Sequence, residues 1–166
     1  VPSIITYLKK FLKEVYLPEI RVSLFCGEAL YDDILELWSA VCPNALQINF
    51  YGPTEATVFC MEYLWRPNLS SYEAVNGIVP IGKPMKGTQC YIVNENNEIM
   101  NGTSAGELCL FGSQVTDRYW KDKSKTRDSF VNVTVNDEIK TVYKTGDICF
   151  INKNGNYIYC GRVDDQ

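Results

Sequence analysis

The residues able to do chemistry fall in a few short stretches. Asn49-Phe50-Tyr51-Gly52-Pro53-Thr54-Glu55-Ala56-Thr57 sets an aromatic ring, two hydroxyls and a carboxylate just past the apolar run Ala45 to Phe50. This pattern predicts a strand that stops hard at Gly-Pro. Its carboxyl end then offers an aromatic face, a hydroxyl suited to a phosphate and a carboxylate suited to a metal, and open α/β sheets bind ligands at such strand ends. Gly106-Glu107-Leu108-Cys109-Leu110-Phe111-Gly112, followed by Val115 and Tyr119, reads as a strand bracketed by glycines. Tyr143-Lys144-Thr145-Gly146-Asp147 puts an acid directly after a turn glycine, at the head of a strand Ile148 to Ile151. Gly161-Arg162-Val163-Asp164 places a guanidinium and a carboxylate two positions apart after another strand.

Composition narrows the chemistry by exclusion. The 166 residues contain no histidine, so a mechanism built on an imidazole base is not expected. Seven cysteines (Cys26, Cys42, Cys60, Cys90, Cys109, Cys149 and Cys160) stand at wide spacings without a CxxC pair, which argues against zinc. Their apolar neighbours, as in Leu108-Cys109-Leu110, suit reduced core thiols of a cytoplasmic protein. The net charge is −4 and no basic stripe appears, so nucleic acid is not an expected partner. Lys121, Lys123, Lys125 and Arg127, interleaved with Asp122 and Asp128, read as a solvated helix face. No apolar run is long enough to insert into a membrane.

The elements that must position these residues follow from periodicity. Apolar residues at Ile4, Ile5, Leu8, Phe11, Leu12 and Val15 predict a helix over Ile4 to Tyr16, and Ile34, Leu35, Leu37, Trp38 and Val41 predict another over Tyr31 to Val41. Short apolar runs at Arg21 to Cys26 and Ala45 to Phe50 predict strands, and the helix–strand alternation implies a parallel sheet. Val58 to Trp65 is β-prone, and Arg66 to Gly77 is a polar loop. Beyond it, β-rich segments (Gln89 to Val93, Glu98 to Met100, Gly106 to Phe111, Val131 to Val135, Lys140 to Tyr143, Ile148 to Ile151, Asn156 to Cys160) alternate with turn residues. One helix is expected at Lys121 to Phe130. The fold class expected is α/β: the end of a parallel α/β layer over residues 1–70, then a small distorted β-barrel subdomain over residues 71–166. With no initiator methionine and no terminal feature, the chain is expected to be a piece of a longer protein.

Taken together and in order, these stretches resemble the adenylate-forming enzymes: amino-acid adenylation domains, acyl-CoA ligases and luciferases. Asn49 to Thr57 is similar to that superfamily's Tyr-Gly-Pro-Thr-Glu motif, Gly106 to Trp120 to its Gly-Glu-Leu motif, Tyr143 to Asp147 to its Thr-Gly-Asp motif, and Gly161 to Gln166 to its Gly-Arg-x-Asp hinge motif. The resemblance covers about Arg21 to Gln166 and implies ATP and Mg²⁺ as ligands. It implies Tyr51 as the adenine-stacking ring, beside Gly52, with Thr54 and Glu55 as the catalytic pair, Thr54 on phosphate and Glu55 on Mg²⁺. It further implies Asp147 on the ribose hydroxyls, Tyr159 and Arg162 supporting ribose and phosphate, and Asp164 at the hinge. Cys26, Gly27, Phe50, Val58 and Phe59 match the acyl-pocket positions.

Within the superfamily, Leu24 to Leu30 and Tyr143 to Asp147 look closest to nonribosomal peptide synthetase adenylation domains and D-alanine–carrier-protein ligases. In the latter a cysteine precedes the Gly-Glu, as Cys26 does here; Phe50 departs from the small residue expected there. The reaction implied is activation of an amino acid, with D-alanine a candidate, followed by transfer to the phosphopantetheine thiol of a carrier protein. A fatty-acyl or aryl-CoA ligase is the alternative enzyme, with CoA as acceptor, and a nucleotide-binding or interaction module the non-catalytic one. The family's phosphate loop with its lysine, and the C-terminal domain with a second lysine, have no counterpart among these residues, so the segment alone is expected to be inactive. Arg118 stands where the family favours glycine, which puts the local turn in question.

Overall fold

The computed structural model describes residues 1–67, 70–101 and 103–164. Its elements, in order, are α1 (Pro2–Leu8), β1 (Val22–Phe25), α2 (Asp32–Val41), β2 (Leu46–Tyr51), β3 (Met61–Trp65), β4 (Lys83–Pro84), β5 (Thr88–Val93), β6 (Gly106–Gly112), α3 (Lys123–Ser129), β7 (Phe130–Val135), β8 (Glu138–Ile151) and β9 (Tyr157–Arg162). Asn68 and Leu69, in the boundary loop, and Asp165 and Gln166, closing the Gly-Arg-x-Asp stretch, lie outside the described residues.

The first sheet runs β1-β2-β3-β4. β1 and β2 are parallel, with Val22 opposite Leu46 and Phe25 opposite Asn49, while β3 and β4 join antiparallel. β4 therefore belongs to this sheet although it lies beyond residue 70 in sequence. α2 packs on one face through Ile34, Leu35 and Val41 against Phe25, Tyr63 and Trp65. Two aspartates in its first turn favour the positive end of the helix dipole, and Trp38 Nε1 donates to Ser23 Oγ at 2.8 Å, pinning the helix to β1. The first predicted helix is shorter than its periodicity. It stops at Leu8, and Leu12–Glu14 forms a separate 3₁₀ turn. Ile5 and Leu12 are buried and Val15 packs beside them, but Ile4, Leu8 and Phe11 stay exposed, and a helix gains most of its stability from a buried face.

The second sheet is ordered β5-β6-β8-β7, with β9 also on β8. It is open: no ladder returns from β5 to β7 or β9 among the described residues, so the α/β class holds while the barrel expected for this half does not close. The reason is β8. The two strands expected at Lys140 to Tyr143 and Ile148 to Ile151 are one continuous strand, whose first part pairs with β7 and whose last part pairs with β9 on the same side. Gly146 (φ 75°) lies inside it as a bulge, not in a turn. Glu98 to Met100 contributes only a single bridge, Ile99 to Val93, behind the Asn94 to Asn97 turn. A shared core of Ala56, Cys60, Met61 and Ile81 with Ile92, Leu108, Leu110 and Cys149 locks the end of β2 against the second sheet. No helix among the described residues is long and apolar enough to cross a membrane.

Candidate functional site

β2 ends at Tyr51, and the chain doubles back over Gly52 to Cys60. A 3₁₀ turn over Thr54–Ala56 is followed by two consecutive left-handed residues, Thr57 (φ 56°) and Val58 (φ 76°), both β-branched and so genuine outliers. The return lets the Cys60 N–H donate to the Tyr51 carbonyl at 2.8 Å. It also brings the backbone so close to Gly52 that a Cβ there would lie 2.4 Å from Phe59 Cα, which fixes glycine at this position. Gln114, just past β6, holds the loop: its Nε2 donates to the carbonyls of Ala56 and Phe59 (2.8 and 2.9 Å), and its own carbonyl accepts from Thr57 Oγ1 at 2.8 Å.

Across from this loop, β8 presents Asp147 from its bulge. The Tyr51 hydroxyl donates to one oxygen of that carboxylate, and Arg162 Nη1 donates to the other at 3.1 Å. Arg162 is fixed in turn by Asp164, whose oxygens accept from Nε at 2.7 Å and Nη2 at 3.2 Å. Asp147 is only 8% exposed. Burial pushes its carboxyl above the ordinary carboxylate value, and the bonds from Tyr51 and Arg162 offset part of that rise. Burial and the Asp147 charge push the Tyr51 phenol far up, so it keeps its proton and acts as the donor.

Glu55 lies on the 3₁₀ turn, half-buried. Burial raises its carboxyl, but the Tyr119 hydroxyl, donating at 2.5 Å, and Tyr143 together bring it below the ordinary value, so it is a carboxylate at neutral pH. Lys125 Nζ lies 4.2 Å from the Tyr119 ring centroid on the same side.

Gly27, Phe50, Tyr51, Gly52, Thr54, Glu55, Asp147, Tyr159, Arg162 and Asp164 all line one cavity of about 820 Å³, within the range of small-molecule sites. It opens at the carboxyl ends of the parallel pair β1 and β2. Cys26, Val58 and Phe59 are not among its lining residues; Val58 is exposed, and Phe59 stacks on Phe50 from behind, with centroids 4.4 Å apart. Sequence reasoning missed Glu107, Tyr119, Tyr143 and Lys144 as wall residues, although all four lie inside stretches it singled out. Arg118 does not take up a left-handed backbone; that conformation falls at Lys121 (φ 54°), and Arg118 pairs at the surface with Asp117. Among the described residues no three metal-ligating side chains gather. A lone carboxylate such as Glu55 still fits Mg²⁺, which takes one or two carboxylates and completes its octahedron with phosphate and water.

A cavity at parallel strand ends, with the braced, buried Asp147 carboxylate on one wall and Glu55 on the other, gives this α/β domain a candidate ligand site. The chain belongs to the AMP-binding enzyme family, whose model matches residues 1–120. Gramicidin S synthase 1 of Brevibacillus brevis is 35% identical over 148 residues, 89% of this chain and 13% of that protein. The adenylation domain AlmE of Vibrio cholerae, solved in complex with glycyl-adenosine-5'-phosphate, superposes with a TM-score of 0.83 at 30% identity, over the whole of this chain and 31% of that one. PA1221, a nonribosomal peptide synthetase protein containing adenylation and PCP domains, gives a TM-score of 0.78 at 28% identity, covering 88% of this chain and 29% of its own.

Proposed function

We propose that this chain supplies the nucleoside-binding part of an ATP-dependent ligase that activates an amino acid as its aminoacyl-adenylate and passes it to the phosphopantetheine thiol of a carrier protein. In the reaction the substrate carboxylate oxygen bonds to the α-phosphorus of ATP, and the bond to pyrophosphate breaks. The observation that carries this reading is the joining of Tyr51, Asp147 and Arg162 by hydrogen bonds on one wall of the cavity that Glu55 also lines. The similarity to a domain solved with an aminoacyl-adenylate supports it.

In this reading Asp147 accepts the ribose hydroxyls, with Arg162 and Tyr159 beside it, and the face of Tyr51 receives the adenine. The Thr54 hydroxyl reaches the phosphate. Glu55 holds Mg²⁺, which when bound neutralises phosphate charge. Residues 1–70, completed by β4, and the remainder of 71–166 act as two lobes of one larger domain, with Asp164 at its hinge. Phe50, stacked on Phe59, narrows the wall next to Gly27, which favours a small amino acid such as D-alanine. Seven free thiols suit the reducing cytoplasm.

The test is ATP–pyrophosphate exchange by the intact ligase that carries this segment, across D-alanine, glycine, L-amino acids and fatty acids. Exchange that depends on a small amino acid is expected. Exchange only with fatty or aryl acids would replace the amino acid with the acyl-CoA ligase reading, and none with any acid would leave a binding module.

A further inference from the structure

β6 and β8 lose register where Asp147 is presented. Glu107 lies opposite Ile148, but Cys109 lies opposite Lys144, so Thr145, Gly146 and Asp147 together face Leu108 alone. A bulge of this kind re-aims a side chain and leaves backbone groups without ladder partners. Here side chains take over the ladder's work. Thr145 Oγ1 donates to the Leu108 carbonyl at 2.9 Å and accepts the Asp147 N–H at 3.0 Å. The Gly146 N–H donates to Glu107 Oε1 at 3.0 Å, and the other oxygen of that carboxylate meets Lys144 Nζ at 2.8 Å. This ion pair is well shielded, its side chains 14% and 23% exposed, unlike the surface pairs elsewhere in the chain. Gly146 needs its left-handed φ of 75°, and a Cβ there would come within 2.7 Å of the Arg162 guanidinium.

We propose that Glu107, anchored by Lys144, is a positioning residue that sets the bulge under Asp147 and thereby controls recognition of a ligand's vicinal hydroxyls. This rests on the reading of Asp147 as the ribose-binding carboxylate. A carboxylate accepting a backbone N–H makes a charge-assisted bond, stronger than a neutral one, and the Lys144 ammonium at 2.8 Å orients that carboxylate. Removing it frees Gly146, the residue best able to move, directly before Asp147. Asp147 then loses its aim toward the sugar while its own chemistry is untouched.

The experiment compares the affinities of the intact ligase for ATP and 2′-deoxy-ATP, alongside its melting temperature. Glu107→Ala is expected to weaken ATP about tenfold and 2′-deoxy-ATP, which keeps only the 3′-hydroxyl for Asp147, by clearly less, so the ratio between them falls. Glu107→Gln, which keeps an acceptor for Gly146 but not the charge, and Lys144→Met should each lower the ratio by less. Should Glu107→Ala fail to fold, these two variants carry the test. Variants that lower the melting temperature but keep the parental ratio would overturn the proposal and leave a purely structural ion pair. Asp147→Asn separates the two levels. If it leaves the ratio unchanged, the ribose reading fails and the proposal with it. If it abolishes the ratio while the Glu107 and Lys144 variants do not, only the positioning role fails.

Discussion

Glu55 and Asp147 reach the same cavity from different sheets and are held there in different ways. Glu55 rides on a 3₁₀ turn beyond the last residue of β2, on a loop tied by Gln114 and strained at Thr57 and Val58. Phenols surround its carboxylate, and its pKa is lowered. Asp147 lies inside a continuous strand, buried, with its pKa raised and both oxygens engaged by Tyr51 and Arg162. The contrast shows how one cavity can hold a carboxylate that stays ionised and another that is fixed in direction. The first arrangement suits a cation whose remaining ligands come with the substrate. The second suits hydroxyl groups, which reward a defined geometry.

The sharpest way to break this comparison is to remove each carboxylate in the intact ligase. Asp147→Ala should weaken ATP on the order of 100-fold in binding calorimetry, whether or not Mg²⁺ is present, because directed hydrogen bonds to an ionised acceptor are lost. Glu55→Gln should leave Mg²⁺-free nucleotide binding unchanged and lose only the gain that Mg²⁺ confers. If both variants respond to Mg²⁺ alike, the division of labour is wrong.

The next effect tests how tightly the Glu55 loop is built. Gly52→Ala forces a methyl onto Phe59 Cα and should cost about 2–3 kcal/mol of stability in denaturant unfolding. A neutral result would mean the loop can open, against the close return seen here. Smaller, and opposite in sign, is Val58→Gly. The residue is exposed and left-handed, so the change should stabilise by about 1 kcal/mol, visible as a raised melting temperature. Destabilisation would show that Val58 packs on something beyond this chain.

The smallest effect sharpens the other side. Because the pKa of Asp147 is raised, the folded chain holds that proton more tightly than the unfolded chain does. The stability this contributes is complete below the ordinary value of 3.8 and is lost as pH rises through the raised pKa. Asp147→Asn has no such loss. Its melting temperature relative to the parent should therefore improve as pH rises from below 3.8 through the raised pKa. A constant difference across that window would place the pKa at its ordinary value.

Strands with a strict one-face demand were legible from the sequence. Val22 to Phe25 and Leu46 to Tyr51 fall within a residue of their expected bounds, as does the second helix. The short apolar runs located these strands even though Val22, Leu24, Leu46 and Leu64 leave the outer face of the first sheet exposed. The first helix is cut short because half of its apolar stripe, Ile4, Leu8 and Phe11, stays exposed. Among the site residues, Asp147 and Arg162 stood out by type and spacing. Glu107, Gln114 and Tyr119 did not, since their work lies in contacts with partners far away in sequence.

What the sequence determined by itself was local: which segments bury an apolar face, where glycine and proline stop them, and which stretches carry acids, hydroxyls and an arginine in an order resembling one superfamily. Tertiary structure decided the rest. It made one strand of the two expected around Gly146, because β7 and β9 share one side of β8 and keep the chain extended through the bulge. It left the second sheet open where a barrel was expected. It also set Tyr51 against Asp147 across 96 positions of sequence, a contact that no local pattern encodes because it exists only once the two sheets share a core.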